Sequence, residues 1–286
     1  MKINNQMKIC VVGLGLIGGS YAMALSKKGY DVSAVTLEQS SIDYAVENGI
    51  IKRGTTEVDP EMIGQADIVI FALYPHVFIK WVRENQQYFK RGAVITDVTG
   101  VKGSVVYEIQ DMLRDDVEFI AAHPMAGKEV YGVENSDDAI FREANYIVVP
   151  TDKNTAERIE LCQSLGKELG FRDISVLAPD KHDEMIAFLS QLTHCIAVSL
   201  MCASDNPCLV HYTGDSFRDL TRIAKINDAM WSELFLENKN ALLREMERFR
   251  LSFDKLYNTI KNDDRDEMRA MMRISTGRRK YFDENR

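Results

Sequence analysis

The stretch Ile9-Cys10-Val11-Val12-Gly13-Leu14-Gly15-Leu16-Ile17-Gly18-Gly19-Ser20 constrains the fold more than any other part of the chain. Its apolar, β-branched opening predicts a short strand. Ile17, Tyr21, Ala24 and Leu25 then recur at helical spacing, and Gly29 closes that helix. A G-x-G-x-x-G turn between a strand and a helix lets a pyrophosphate approach the backbone. Its charge is met there by free N–H groups and the positive end of the helix dipole. A glycine turn alone is a weak signal, since it can be merely structural, but in this setting it points to a dinucleotide.

The second strand, Val32 to Val35, should end at the residue that meets the cofactor ribose. Thr36 stands there instead of an acid, with Glu38 two residues on and no Arg nearby to receive a 2′-phosphate. This favours NAD over NADP, although Glu38 also reads as a solvated loop charge. Further strand-like runs follow at 66–73, 93–97, 119–122, 146–149 and 174–177, with helical patterns between most of them. Strands alternating with helices give a mainly parallel, doubly wound Rossmann-type sheet, whose ligands bind beyond the carboxyl ends of the strands. The expected cofactor contacts are Gly13, Gly15, Leu16, Ile17 and Gly18 in the turn, Thr36 and Glu38, and Leu73 and Asp97 at later strand ends. Lys102 and His123 belong to the same rim.

After Pro179 no comparable strand follows. One long helix is expected from Asp180 to Met201, another from about Asp228 to Lys261, and a third from Arg265 to about Ile274. The fold class is therefore α/β followed by all-α: a dinucleotide-binding domain over 1–178 and a helical substrate and dimerisation domain over 179–286. The apolar surface of these helices predicts a homodimer formed through them.

A net charge of −8 argues against a nucleic-acid binder but leaves room for a basic pocket that takes an acidic small-molecule substrate. The five cysteines form no CxxC pair and read as reduced thiols in a cytoplasmic protein. Residues 1–6 do not resemble a signal peptide, and with no run of about 18 apolar residues no membrane span is expected.

Five histidines are available for acid–base chemistry beside a nicotinamide. His123 closes the apolar run Phe119-Ile120-Ala121-Ala122 and precedes Pro124-Met125-Ala126-Gly127, so it is delivered to the rim at a strand end. By position alone, catalytic and structural roles both stand. His182 and His194, twelve residues apart on one helix, project about 120° apart and more than three turns along it, too far for a compact metal pair. No metal is expected. His182 reads either as a helix-start residue or as a functional one. His194 reads as a pocket group on an apolar helix, with a satisfied core His as the alternative. His76 and His211 read as surface residues. Arg222, among apolar residues, needs an anion: a substrate carboxylate, or an internal partner such as Asp219 or Glu129.

These residues carry a resemblance. The glycine turn, Asp97-Val98-Thr99-Gly100-Val101-Lys102, His123-Pro124-Met125-Ala126-Gly127 with Glu129 and Gly132, His182-Asp183 with Ser190 and His194, and Asp219-Leu220-Thr221-Arg222 with Trp231 occur in this order. Together they resemble the prephenate/arogenate dehydrogenase family over residues 8 to about 260. The resemblance implies oxidative decarboxylation of prephenate to 4-hydroxyphenylpyruvate with NAD, in tyrosine biosynthesis. Arogenate dehydrogenase or a dual-specificity cyclohexadienyl dehydrogenase is the alternative, and a non-catalytic dinucleotide sensor the alternative of another class. It also implies His123 as the catalytic base, Arg222 as the carboxylate ligand, and Ser190, Gln191, His194, Trp231, His182, Glu129 and Asp219 around the substrate. Many members carry Ser where this chain has Gly100, and Thr99 is the hydroxyl left to substitute for it.

Overall fold

The computed structural model describes residues 2–283. Six parallel strands form the main sheet: β1 (Lys8–Val12), β2 (Asp31–Val35), β3 (Arg53–Thr55), β4 (Ile68–Phe71), β5 (Val94–Asp97) and β6 (Glu118–Phe119). Their order, β3-β2-β1-β4-β5-β6, reverses direction at β1, and the crevice beside such a switch point is where dinucleotides bind. The central strands are buried on both faces, which is why they read as continuous apolar runs. Helices α1 (Leu16–Lys27), α2 (Gln39–Glu47), α3 (Pro60–Gln65), α4 (Pro75–Asn85) and α5 (Gly103–Met112) connect them.

The glycine turn is packed so tightly that two of its positions admit no side chain. Gly13 has φ +100, and a Cβ there would lie 2.4 Å from the Ala72 carbonyl oxygen. A Cβ on Gly18 would lie 1.9 Å from the Gly13 oxygen. Gly15 caps α1 without any side-chain hydrogen bond, so the first N–H groups of that helix face the carboxyl edge of the sheet unpaired by a side chain.

The run expected as a single strand at 119–122 divides at Ile120. β6 pairs with β5, whereas β7 (Ala121–Pro124) pairs antiparallel with β8 (Asn145–Val149), placing His123 opposite Ile147. β8 pairs in turn with β9 (Asp173–Val176), with α6 (Ala156–Leu169) between them in the chain. The cause lies in the hydrogen bonding. The Ile120 N–H still reaches the Ile95 carbonyl at 2.9 Å, but the next, at Ala122, donates to the Asp97 carboxylate at 3.1 Å. A side chain thus replaces the backbone ladder where the chain changes sheets.

The helical run at 179–202 is α7 (Pro179–Ile186), a π-helical segment (Ala187–Gln191) and α8 (Leu192–Cys202). Among the described residues it is the one helix that could cross a membrane by length and composition. Its polar residues His182, Asp183 and Gln191 are nevertheless bonded to β7, α5 and α10 (below). After α9 (Asp215–Thr221), the helix expected at 228–261 breaks at Asn238 into α10 (Asp228–Glu237) and α11 (Lys239–Lys261). Asn238 spends its side-chain amide on the Asp183 carbonyl and the Gln191 Oε1, both at 2.9 Å, which fixes the break. The last helix, α12 (Arg265–Asp283), runs well past Ile274. Ser275 to Lys280 carries no apolar side chain and is exposed, so hydrophobic periodicity stops short of its end.

The chain forms two compact units, the first ending at Asn238 and the second starting at Lys239. The second is the α11–α12 pair, on which Phe249, Phe253, Tyr257, Ile260, Met272 and Ile274 are exposed.

Candidate active site

His123 projects from β7 as a half-buried imidazole. Its Nδ1 lies 2.8 Å from Nε2 of His182, and the ring centroids are 5.1 Å apart. His182 on α7 is fully buried, and its Nδ1 lies 2.7 Å from Asp183 Oδ1. The Asp183 carboxylate also accepts the Lys102 N–H at 2.9 Å and the Gly103 N–H at 2.7 Å, so it caps the N-terminus of α5. Gly103 permits this approach, because a Cβ there would stand only 3.0 Å from Asp183 Oδ2.

Beneath this chain of rings lies a buried ion pair. The Lys102 ammonium and the Asp97 carboxylate both have zero side-chain exposure and meet at 2.6 Å. Lys102 Nζ also donates to the Ala122 carbonyl at 2.6 Å and approaches Thr99 Oγ1 at 3.1 Å, which uses its three donors. Burial lowers the Lys102 pKa, and the Asp97 charge opposes that shift. Burial holds His123 well below the usual imidazole range, and the neighbouring His182 ring and Lys102 ammonium, either of which would repel a charged His123, act in the same direction. Burial lowers His182 too, against the pull of Asp183. Both rings are therefore neutral at neutral pH, and His123 keeps an unprotonated nitrogen.

A second cluster is carried on α8, α10 and the segment before it. His194 stacks on Trp231 with centroids 3.7 Å apart and planes 29° apart, while its Nδ1 bonds to the Ser190 carbonyl at 2.9 Å. Burial lowers the His194 pKa, and the charges of Glu129 and Arg222 also act on it. Arg222 is paired with Glu129. At 64% side-chain exposure Arg222 is not the partly buried group its apolar neighbours suggest, and its guanidinium is open to an incoming anion. Two links fasten α10 to the cofactor rim: His76 to Glu233, with ring nitrogen and carboxylate 2.8 Å apart, and Asn227 to the Tyr74 hydroxyl at 3.0 Å.

Several expected site residues have other duties. Asp97 is fully buried, and its carboxylate is committed to Lys102, Thr99 and Ala122. The Thr99 hydroxyl is turned into the same buried cluster and does not replace a serine at position 100. Gln191 joins α10 through Leu234 and Asn238. His182 stands behind His123 with no exposed surface for a substrate. Asp219 is exposed on α9. Ser190 is half-buried and offers its carbonyl to His194. Around the glycine turn, Leu16 is buried and Ile17 half-buried. Thr36 lies beside the turn, its Oγ1 3.4 Å from the Leu14 nitrogen, and Leu73 packs against Gly13. Glu38 is exposed just before α2. The open space beside Gly15 and the uncapped start of α1 fit a dinucleotide pyrophosphate.

Sequence reading gave Asp183 and Lys102 a place in the motifs but no role in the site. The adjacency of His182 and Asp183 was the available signal.

Residues 21–175 match the family model described as prephenate dehydrogenase, nucleotide-binding domain, and residues 178–274 the one described as prephenate dehydrogenase, dimerization domain. The chain is 32% identical to the prephenate dehydrogenase of Lactococcus lactis over 260 residues, covering 87% of this chain and 70% of that one. It is 28% identical to the cyclohexadienyl dehydrogenase of Zymomonas mobilis, covering 90% of each. The crystal structure of prephenate dehydrogenase from A. aeolicus, in complex with hydroxyphenyl propionate and NAD+, superposes with a TM-score of 0.89 at 29% identity, covering 98% of this chain and 100% of that one. With the glycine turn, the buried Lys102–Asp97 pair and the His123 site in place, the chain belongs to the prephenate dehydrogenase family.

Proposed function

We propose that the chain catalyses the oxidative decarboxylation of prephenate to 4-hydroxyphenylpyruvate with hydride transfer to NAD+, a step in tyrosine formation. The observation that carries this reading is His123, a neutral imidazole with one ring nitrogen engaged by His182 and the other without a partner among the described residues. Bound NAD+ would take the hydride from the ring carbon that bears the hydroxyl. His123 accepts the hydroxyl proton as that hydride leaves. The ring carboxylate then departs as carbon dioxide, its bonding electrons complete the aromatic ring, and His123 returns the proton to the phenolic oxygen. Arg222 binds a substrate carboxylate in place of Glu129, and the His194–Trp231 stack forms a flat wall for the ring.

The exposed Glu38 carboxylate after β2 would repel a 2′-phosphate, which supports NAD over NADP. The division of labour falls near residue 178, between cofactor and substrate parts. The exposed apolar residues of α11 and α12 support a homodimer, and the biosynthetic role supports a cytoplasmic location.

A second reading is dual specificity toward arogenate, favoured by the similarity to the Zymomonas cyclohexadienyl dehydrogenase. Gln191 is turned away from the pocket, which leaves His194 as the polar group of that wall. Steady-state assays of NADH or NADPH formation with prephenate and arogenate, each with NAD+ and NADP+, test the proposal. The expected result is the highest kcat/KM with prephenate and NAD+. Tight NADH binding without turnover of either substrate would instead support a non-catalytic sensor.

A further inference from the structure

We propose that His182 and Asp183 are positioning residues that hold His123 in the one tautomer able to accept a proton. The inference deepens the dehydrogenase reading and rests on it. The order of the protons is set from the carboxylate outward. Both oxygens of Asp183 act as acceptors for backbone N–H groups at the start of α5, Oδ1 from Lys102 and Oδ2 from Gly103. The His182 nitrogen 2.7 Å away must then be the donor, so His182 carries its proton on Nδ1. A neutral His182 with Nδ1–H has a lone pair on Nε2. That lone pair faces His123 Nδ1 at 2.8 Å, so His123 in turn carries its proton on Nδ1. Its Nε2 is left as the lone pair directed away from the protein's own hydrogen bonds.

Two features keep this order from reversing. Burial and the neighbouring Lys102 ammonium both oppose a second proton on His182. The Asp183 carboxylate is itself fixed at the start of α5, so it cannot rotate away without losing two backbone bonds. The chain of bonds also joins α7 to the strand that carries His123. Once His123 takes the substrate proton, its Nδ1–H stays bonded to an acceptor polarised by Asp183, and this steadies the imidazolium until the proton returns. Within the protein, one bond is made and broken again: the Nε2–H of His123.

The test is a long-range proton–nitrogen NMR correlation on histidine-labelled enzyme at pH 7.5, combined with steady-state kinetics. The wild-type enzyme is expected to show His123 and His182 both protonated at Nδ1 and bare at Nε2. His182→Leu should let His123 populate the Nε2–H tautomer and lower kcat about ten- to a hundredfold, with NADH affinity unchanged. His182→Gln, whose side-chain carbonyl can accept from Nδ1–H, should restore the tautomer and much of kcat. A wild-type His123 protonated at Nε2 would overturn the proposal, as would His182→Leu with wild-type tautomer and kcat. If His182→Leu does not fold, the wild-type spectrum and His182→Gln decide. If the tautomers are as stated but neither prephenate nor arogenate is turned over, it is the dehydrogenase reading that fails.

Discussion

The Lys102 ammonium donates at 2.6 Å to the Ala122 carbonyl, in the peptide that joins Ala122 to His123. The same ammonium pairs with Asp97, whose carboxylate accepts the Ala122 N–H at 3.1 Å. The backbone of Ala122 is thus held at both its N–H and its C=O by one buried ion pair. This is how a strand that has just changed sheets holds a catalytic side chain in register. Breaking a buried pair by removing one partner leaves an uncompensated charge, which typically costs about 3–5 kcal/mol. Lys102→Met should therefore lower the unfolding free energy by roughly that amount in urea titrations. Adding Asp97→Asn should recover part of the loss, because the amide needs no counter-charge. Wild-type stability in Lys102→Met would show that the pair does not hold the strand.

The imidazoles set the pH dependence. Burial lowers the His123 pKa from its ordinary value of 6.5, so its base form persists as the pH falls below 6.5. Activity should be lost only as the pH drops through that depressed value. An acid limb of kcat/KM at or above pH 6.5 would contradict the assignment. Stability follows the same sign. His123, His182 and His194 are all lowered, so the unfolded chain binds more protons than the folded one below about pH 6.5. Their contribution to stability is intact above that pH and declines on acidification. Denaturant midpoints at pH 7.5 and 5.5 should differ in that direction.

Arg222 and Glu129 form an exposed pair that a substrate carboxylate can replace. Arg222→Ala should raise the KM for prephenate by about tenfold or more while changing kcat little, the pattern of lost ground-state binding. The KM for NAD+ should not move. A KM for prephenate equal to that of the parent would remove Arg222 from the substrate site.

The main sheet was legible because its evidence is local: β-branched runs, a glycine turn and helical spacing lie within a few residues of one another. His123 was legible as a strand-end imidazole for the same reason. The strand break at Ile120 was not, because all four residues from Phe119 to Ala122 are buried and apolar whichever sheet they join. What diverts the chain is the Asp97 side chain, 25 residues earlier. The duties of Asp97, Thr99, Gln191 and His182 were hidden in the same way. Each is a polar residue whose partner is chosen by tertiary contact, and sequence spacing says that it needs a partner without saying which. The break at Asn238 depends on bonds to residues 47 and 55 positions away.

Gly100 stands where many family members carry serine. A Cβ there would rest 3.4 Å from a Leu234 methyl group, an ordinary contact, and no left-handed φ forbids a side chain. Gly100→Ser should therefore fold as the parent does and gain up to about 1 kcal/mol through the lower entropy of its unfolded state. A loss of stability in thermal melts would mean that Leu234 cannot yield, and that glycine is required there by packing.

The glycine turn allows protein packing to be separated from cofactor binding. A Cβ on Gly18 would overlap the Gly13 carbonyl oxygen, a backbone atom that cannot move aside, so Gly18→Ala should destabilise the chain even without cofactor. A Cβ on Gly15 would meet no protein atom within 4 Å, and its backbone at φ −90 suits any residue. Gly15→Ala should melt with the parent in the absence of cofactor. Its methyl group would nevertheless project into the open space at the start of α1, where the pyrophosphate must come close to the backbone. NADH titrations should show affinity reduced by about tenfold or more, equivalent to about 1.4 kcal/mol. Unchanged NADH binding in Gly15→Ala would place the pyrophosphate elsewhere, whereas a lower melting temperature without cofactor would mean that the space beside Gly15 serves the fold.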